Sequence, residues 1–381
     1  MNKKDVLKNL VEIDSGYAFK SSFFNDNFEG IPIIRIRDIN SGIAETYYSG
    51  DYEEKFIVNN DDLLIGMDGN FKIRKWSGGK ALLNQRVCRI KSISNKLSNE
   101  YLYRILPLEL KFIEDKTSFV TVKHLSVKDI NNIELIIPHI DIQNKIVKII
   151  DKSQELIDNR KKQIEELDLL VKSKFIEMFG DPVTNLKKWD KVAIGEMFEI
   201  KTGATPSRKE NSYWEGGTIP WVKTTELKEY IINETEEYIT EDGFNNSSVN
   251  LLPKDTILIA MYGQGKTRGM TGKLGIEATT NQACAAILPN NNENMDFVWY
   301  QLRLLYDELR ALGQGGSQPN LNTNLVKTYQ LIFPPVELQN EFERFIKHID
   351  KLKFEMEKSL KELEDNFNSL MQKAFKGELF N

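Results

Sequence analysis

The chain has 381 residues, of which 40% are hydrophobic and 28% charged, and a formal net charge of −5. That length exceeds one typical domain and suits two domains of about 140 residues with connecting elements. Two cysteines and three histidines exclude a disulfide framework and a zinc site of usual ligand spacing. No run of about 18 apolar residues occurs, and the start Met1-Asn2-Lys3-Lys4-Asp5 lacks the apolar stretch of a signal peptide, so a cytoplasmic location is expected.

In chain order, Ile31–Arg37, Asp62–Gly66 and Asn132–Ile137 are short strand-like runs bounded by Gly, Asn and Asp. Leu97–Glu114 carries helical spacing. Gly69–Asn99 holds eight cations (Lys72, Arg74, Lys75, Lys80, Arg86, Arg89, Lys91 and Lys96) and no acid. Global acidity argues mildly against a nucleic-acid binder, but a locally basic face can dock on phosphates, or be only a solvated loop with strand edges.

After Pro138 the pattern changes to an a/d seam that includes Ile146, Ile149, Leu156, Leu167 and Val171, and ends at Gly180-Asp181-Pro182. After Pro334-Pro335 the same seam returns with Phe345, Leu352, Leu363 and Phe367. Both stretches predict long amphipathic helices, and neither hides its stripe alone. The simplest solution is that they pair antiparallel. Between them, Ile219–Val222, Asp255–Ala260 and Thr328–Phe333 are strand-like, and Asp296–Leu312 is helical.

The chain reads as written twice. Ile137–Phe179 aligns without a gap on Phe333–Phe375 at an offset of 196, with ten of 43 positions identical. Ile31-Pro32 pairs with Ile219-Pro220, and Asn84-Gln85 with Asn281-Gln282. So long a period is no solenoid unit; it indicates a duplicated domain-plus-helix module.

Thr256–Ala260 runs into Met261-Tyr-Gly-Gln-Gly-Lys-Thr267, which ends like a P-loop. Ala260 stands where such a loop needs glycine, and Arg268-Gly269-Met270-Thr271-Gly272 is a poor helix start. Neither an adenosylmethionine-type glycine loop nor an amino-methyltransferase signature is evident, and the single His124, His139 and His348 suit surface or packing. The sequence shows no catalytic arrangement. Asn84-Gln85 and Asn281-Gln282 each lead to a cysteine; they are either polar turns over a buried thiol or amides that read adenine. Lys201–Arg208 is a Gly/Pro loop dense in donors, an ordinary turn or a phosphate and base contact.

Gly180-Asp-Pro182, Trp189, Gly203-Ala-Thr-Pro-Ser207, Tyr213-Trp214, Ile219-Pro-Trp-Val222 and Asn281-Gln-Ala-Cys284 together resemble the specificity subunit of type I restriction–modification systems. So do Ser15-Gly-Tyr-Ala-Phe19, Ile31–Asp38 and the Pro-x-x-x-x-Gln lead-in to each helix. The resemblance covers essentially the whole chain. It implies an α+β fold: two duplicated mixed α/β target-recognition domains joined by two long antiparallel coiled-coil helices with pseudo-twofold symmetry. The expected bounds are 1–140 and 181–336 for the recognition domains, and 141–180 and 337–381 for the helices.

It further implies a non-catalytic chain that reads an asymmetric bipartite site in double-stranded DNA with a spacer of fixed length. Two modification (methyltransferase) subunits and restriction (motor-nuclease) subunits are the implied partners. They, not this chain, would bind S-adenosylmethionine, ATP and Mg; no cofactor, metal or membrane is expected here. Candidate DNA contacts in the first half are Lys20, Arg35, Arg37, Lys72, Arg74, Lys75 and Arg86. In the second they are Lys201, Thr205, Ser207, Arg208, Lys223, Tyr262, Gln264, Lys266, Arg268, Gln282 and Gln318. The first half has Gly16-Tyr-Ala-Phe-Lys-Ser21 where the second has Gly203-Ala-Thr-Pro-Ser207, so the two ends are expected to read different sequences. Without the resemblance, a coiled-coil scaffold that never touches DNA and a P-loop nucleotide binder remain as alternatives.

Overall fold

The computed structural model describes residues 3–116, 123–263, 265–313 and 320–380. The chain divides into two compact units, one of Met1–Lys162 with Glu357–Asn381 and one of Gln163–Met356. Among the described residues the first has eleven strands: β1 (Lys3–Val6), β2 (Val11–Ser15), β3 (Phe24–Asn25), β4 (Ile31–Ile34), β5 (Thr46–Tyr48), β6 (Ile57–Val58), β7 (Leu63–Gly66), β8 (Ile73–Lys75), β9 (Ala81–Leu83), β10 (Val87–Ser92) and β11 (Glu134–Ile137). They form a β1-β11 pair, a β2-β10-β7-β8 sheet and a β3-β5-β4-β9-β6 sheet.

The second unit has β12 (Lys191–Ala193), β13 (Ile200–Thr202), β14 (Ile219–Val222), β15 (Ile231–Ile232), β16 (Glu237–Ile239), β17 (Ile257–Ala260), β18 (Thr271–Leu274), β19 (Thr279–Thr280), β20 (Cys284–Ile287) and β21 (Gln330–Ile332). Its arrangements are β12-β21, β13-β20-β17-β18-β15 and β16-β14-β19. Strand for strand, β13-β20-β17-β18 repeats β2-β10-β7-β8. The parallel pair β14-β19 repeats the parallel pair β4-β9. The duplication read from sequence is a duplication of topology.

β7 and β17 explain why the central strands lack polar alternation. Leu63 and Ile65 enter one core and Leu64 the core on the opposite face. In the second unit Ile257 and Ile259 face one core, Leu258 and Ala260 another. A strand covered on both faces reads as a continuous apolar run.

Each long helix has 40 residues, Ile140–Phe179 and Val336–Phe375, about 60 Å at about 1.5 Å per residue. In the first unit Ile146 and Ile150 share a core with Met371 and Ala374, and Lys161 meets Glu364 at 2.8 Å. In the second, Val171, Phe175 and Phe179 share a core with Phe342, Ile346 and Ile349, while Asp168 meets Lys353 at 2.8 Å. Within each unit the helical segments therefore run antiparallel. Leu167, Phe345 and Phe367 pack against these cores; Ile149 and Leu363 are half-buried.

Two expected seam residues are corrected. Leu156 and Leu352 are 44% and 38% exposed, whereas Ile150 and Ile157 are buried. The inward seam is one residue off the phase assigned from sequence around Leu156, because apolar residues at both 156 and 157 allow either phase. The helical stretch at 296–312 is also two helices, Met295–Leu304 and Tyr306–Leu312.

Gln143 and Gln339 account for the Pro-x-x-x-x-Gln lead-in. Both are fully buried. Gln143 Nε2 donates to the Pro138 carbonyl at 2.8 Å and the Lys96 carbonyl at 2.6 Å, while Oε1 accepts the Ser98 N–H at 2.9 Å. Gln339 Nε2 donates to the Pro334 carbonyl at 2.8 Å and to Glu293 at 2.6 Å, and Oε1 accepts the Asn294 N–H at 3.1 Å. One amide thus holds the carbonyl just before the helix and ties the helix to the loop before the neighbouring helix.

Candidate nucleic-acid interface

Three loops recur in both units on the same backbone framework. The first follows β2 and β13. A Cβ on Gly16 would lie 2.0 Å from the Asn84 carbonyl oxygen, and one on Gly203 would lie 1.9 Å from that of Thr280. The close approach is held by Tyr17 N–H donating to the Leu83 carbonyl and Ala204 N–H to the Thr280 carbonyl, each at 2.9 Å. The loops that differ in sequence therefore dock alike. Asn84 and Asn281 tighten the facing turns, accepting from Gln85 N–H and Ala283 N–H. Cys88 and Cys284 lie buried beyond them, their thiols pushed up to about 12 by burial, and Gln85 and Gln282 stay exposed. The asparagines are turn residues; only the glutamines are presented outward.

The second loop leaves β4 and β14. Asp38, 1% exposed, accepts the Arg35 N–H at 2.8 Å. At the matched place Glu226, 4% exposed, accepts the N–H groups of Lys223 and Glu236 at 2.8 and 2.9 Å. Burial raises the Asp38 carboxyl above its ordinary range, against the pull of the Arg35 N–H and of Arg37. A buried acid thus fixes the strand end from which Arg35 or Lys223 projects.

The third is the hairpin β7–β8 and its counterpart β17–β18. Met67 N–H donates to the Arg86 carbonyl and Met261 N–H to that of Ala283, while the Met67 and Met261 carbonyls accept from Leu125 and Leu321. Met67 and Met261 are anchored alike, but the tips beyond them differ: Gly69 has φ 72° and Gly263 φ 148°, and the second connection is longer. The P-loop alternative fails here: β18, a strand, follows where a nucleotide loop needs a helix.

The candidate residues divide by what already holds them. Lys20, Lys72 and Lys266 are exposed, and no ion pair engages them among the described residues. Arg37 donates to Thr46 Oγ1 at 3.0 Å, Arg86 meets Asp68 at 3.3 Å, and Lys201 meets Glu199 at 3.4 Å. Arg74 donates to the carbonyls of Ile39 and Asn40. Lys75 bridges Glu100 at 2.6 Å and Asp61 at 3.3 Å, and its hydrogen bond to Glu100 raises its pKa. Arg89, in the same basic run, is taken by Asp14 and Asp62. The run is acid-free in sequence only: carboxylates outside it neutralise Lys75, Arg86 and Arg89.

Arg268 is corrected as a contact, being only 8% exposed. Gln264 and Gln318 lie outside the described residues.

Around the second Gly loop the side chains form a constructed site. Thr205 Oγ1 donates to Gln282 Oε1 at 2.5 Å. The indoles of Trp221 and Trp214 donate to the Ala204 and Ser207 carbonyls at 3.0 and 3.1 Å, pinning the loop at both ends. The Arg208 guanidinium lies 3.6 Å over Trp214 and 4.8 Å over Trp221, and Nη1 meets Glu237 at 2.5 Å. Glu237 also receives Lys223 at 2.9 Å. Burial alone would raise Glu237, but hydrogen bonds from Arg208 and Lys223 hold its carboxyl below the ordinary range. Lys223 is raised by its bonds to Glu236 and then Glu237.

The profile of the type I restriction modification DNA specificity domain matches this chain at residues 3–169 and again at 186–365. The chain belongs to that family. The specificity subunit of the Escherichia coli type I restriction enzyme EcoBI is 28% identical, covering 98% of this chain and 85% of its own length. That of the Methanocaldococcus jannaschii enzyme MjaVIII is 24% identical, covering 93% and 88%. Two solved structures share the fold. The S subunit from M. genitalium has a TM-score of 0.55 at 17% identity, with 98% and 96% coverage. A chain from a study of complex assembly and conformational transition of the type I R-M system has 0.66 at 16%, with 99% and 98%.

The two profile matches fall on the two copies, so each specificity domain carries its own Gly loop, buried acid and Met-x-Gly hairpin. Asp38 with Glu226, Met67 with Met261 and the Trp214–Trp221–Glu237 cage were not singled out as site residues from sequence. The first was findable: the offset that pairs Ile31 with Ile219 also pairs Asp38 with Glu226. The cage was not, because Glu237 reaches Arg208 only through the β14–β16 pairing.

Proposed function

We propose that this specificity-family chain is the non-catalytic DNA-reading subunit of a type I restriction–modification enzyme. It reads two different half-sites in duplex DNA, one with 1–140 and one with 181–336, and the helical regions 141–180 and 337–381 keep the spacer between them constant. The observation that carries this reading is that the loop frameworks match while their outward side chains differ. Tyr17 and Lys20 in one unit stand where Ala204 and Ser207 stand in the other, and the exposed Tyr262 stands where the first unit has Asp68, paired with Arg86 and His124. Lys72 and Lys266, the exposed cations of the two hairpins, serve phosphates.

Modification subunits, binding S-adenosylmethionine themselves, dock on the helices, and restriction subunits add ATP- and Mg-dependent chemistry to the assembly. In support, Leu156 and Leu352 are identical, matched by the repeat and both exposed, as two equivalent docking points require. Long-read methylome sequencing of a host expressing the chain with its modification subunit tests the reading. The expected product is one bipartite, adenine-methylated motif with a fixed spacer. Methylation that does not depend on this chain would leave the scaffold reading instead.

A further inference from the structure

Arg208 is built unlike a phosphate-neutralising side chain. Its charge is already answered: Arg208 and Lys223 face Glu236 and Glu237 in one cluster, so the group sums to zero and offers a phosphate little net attraction. Its mobility is also gone. Stacking on Trp214 and the contact to Glu237 fix the guanidinium plane, and the two indoles fix the backbone of the loop beneath it. A phosphate contact gains nothing from such restraint. A directional contact to a base edge does.

What remains free is geometry. Arginine carries five N–H donors in a fork, only Nη1 is engaged by Glu237, and half of the side chain is exposed. We propose that Arg208 reads a guanine in the half-site of the second unit, donating to its O6 and N7 in the major groove, with Trp214, Trp221 and Glu237 as positioning residues. This rests on the DNA-recognition reading above. Guanine is the base whose major-groove edge offers two adjacent acceptors to such a fork. The first unit has no equivalent reader. Its strand register puts Ile33 at the place of Trp221 and Thr46 at that of Glu237, and the ungapped loop alignment puts Ser21 at that of Arg208.

The test uses the full chain with its modification subunit, after the wild-type motif has been mapped by methylome sequencing. Arg208→Lys keeps the charge and loses the fork. Binding is measured on duplexes in which each base pair of the second half-site is replaced in turn, including 7-deazaguanine for guanine. We expect Arg208→Lys to lose about tenfold or more of discrimination at one G·C pair, where 7-deazaguanine weakens the wild type but no longer affects the variant. The first half-site preference and the salt slope stay as in the wild type, which also shows that the variant is folded. Glu237→Gln retains the guanine preference in weakened form, because the fork loses its anchor.

An unchanged sequence preference in Arg208→Lys, or an Arg208→Ala variant whose salt slope falls by about 0.9, one phosphate's worth, with its preference intact, overturns the assignment. A wild-type complex with no bipartite motif would instead sink the recognition reading on which it stands.

Discussion

Replacing Gln143 with alanine removes one side chain and strands three backbone groups. The amide is fully buried, and its partners are the Pro138 and Lys96 carbonyls and the Ser98 N–H. A neutral hydrogen bond contributes about 1 kcal/mol net, and a buried group left without a partner costs about 1–3 kcal/mol. Some of the stranded groups will capture water in the space the side chain leaves, so roughly 3–5 kcal/mol is expected for Gln143→Ala. For a unit of this size that lowers the melting temperature by roughly 10 °C or more. Calorimetry with hydrogen exchange localises the loss: amides of Leu102–Leu110 and Ile146–Ile150 should lose protection, while Phe297–Leu302 of the second unit keep theirs. Gln143→Glu should be no better than alanine near neutral pH, because a carboxylate would face two carbonyl oxygens, and its deficit should shrink on acidification as the carboxyl takes up a proton. A Gln143→Ala loss below about 1 kcal/mol, within the reach of a surface change, would refute the view that this amide fastens helix to domain.

Gly16→Ala and Gly203→Ala each drive a Cβ to within about 2 Å of a backbone carbonyl oxygen; each should abolish discrimination at its own half-site, measured by duplex binding, and leave the other intact. Lys72→Ala should reduce the slope of log affinity against log salt by about 0.9 without altering sequence preference, and an unaltered slope would remove Lys72 from the interface. Asp38→Asn keeps an oxygen for the Arg35 N–H but removes the buried charge. Because the native carboxyl is raised by burial, its ionised form costs stability above that pKa and the cost vanishes as pH falls below the unfolded value. Denaturation curves should therefore show the variant equal to or above wild type at pH 7, with the difference closing in acid. Inserting about four residues, roughly one turn or about 5.4 Å, at matched places in both long helices should lengthen the spacer by about one to two base pairs at about 3.4 Å each; an unchanged spacer in the mapped motif would refute the ruler role of the helices.

The duplication and both long helices were legible because they rest on local signals: the constant offset of 196, the prolines before each helix and the apolar period. The pairing phase at Leu156 was not, because two adjacent apolar residues satisfy the period equally and only the partner surface chooses between them. The basic run misled for a related reason. Charge balance is set in space, and Glu100, Asp61, Asp14 and Asp62 reach Lys75 and Arg89 from a helix, a turn and a strand outside the run. Arg268 misled because a donor in a glycine-rich loop looks presented until burial is known. The Gly16 loop illustrates the opposite error. Its sequence departs from the Gly203 loop, yet the backbone docks in the same way because the requirement is the missing Cβ, not the residues that follow.

That division between framework and tip makes one last outcome necessary. Residues that match between the copies act on backbone: Gly16 and Gly203 admit a carbonyl, Asn84 and Asn281 close a turn, Asp38 and Glu226 cap a strand end, and Gln143 and Gln339 hold a helix start. Residues that differ at matched positions, Tyr17 against Ala204 and Asp68 against Tyr262, lie in the loops; Tyr17 and Tyr262 are 50% and 40% exposed. If the copies share a task and differ in target, the first class sets stability and the second sets sequence. Tyr262→Ala should then shift the melting temperature of its unit by no more than about 0.5 kcal/mol would, while it changes the base preference of its own half-site in a methylome. A tip substitution that unfolds its unit without changing the motif read by the surviving protein would show that the outward differences between the copies are packing differences, and that specificity lies elsewhere.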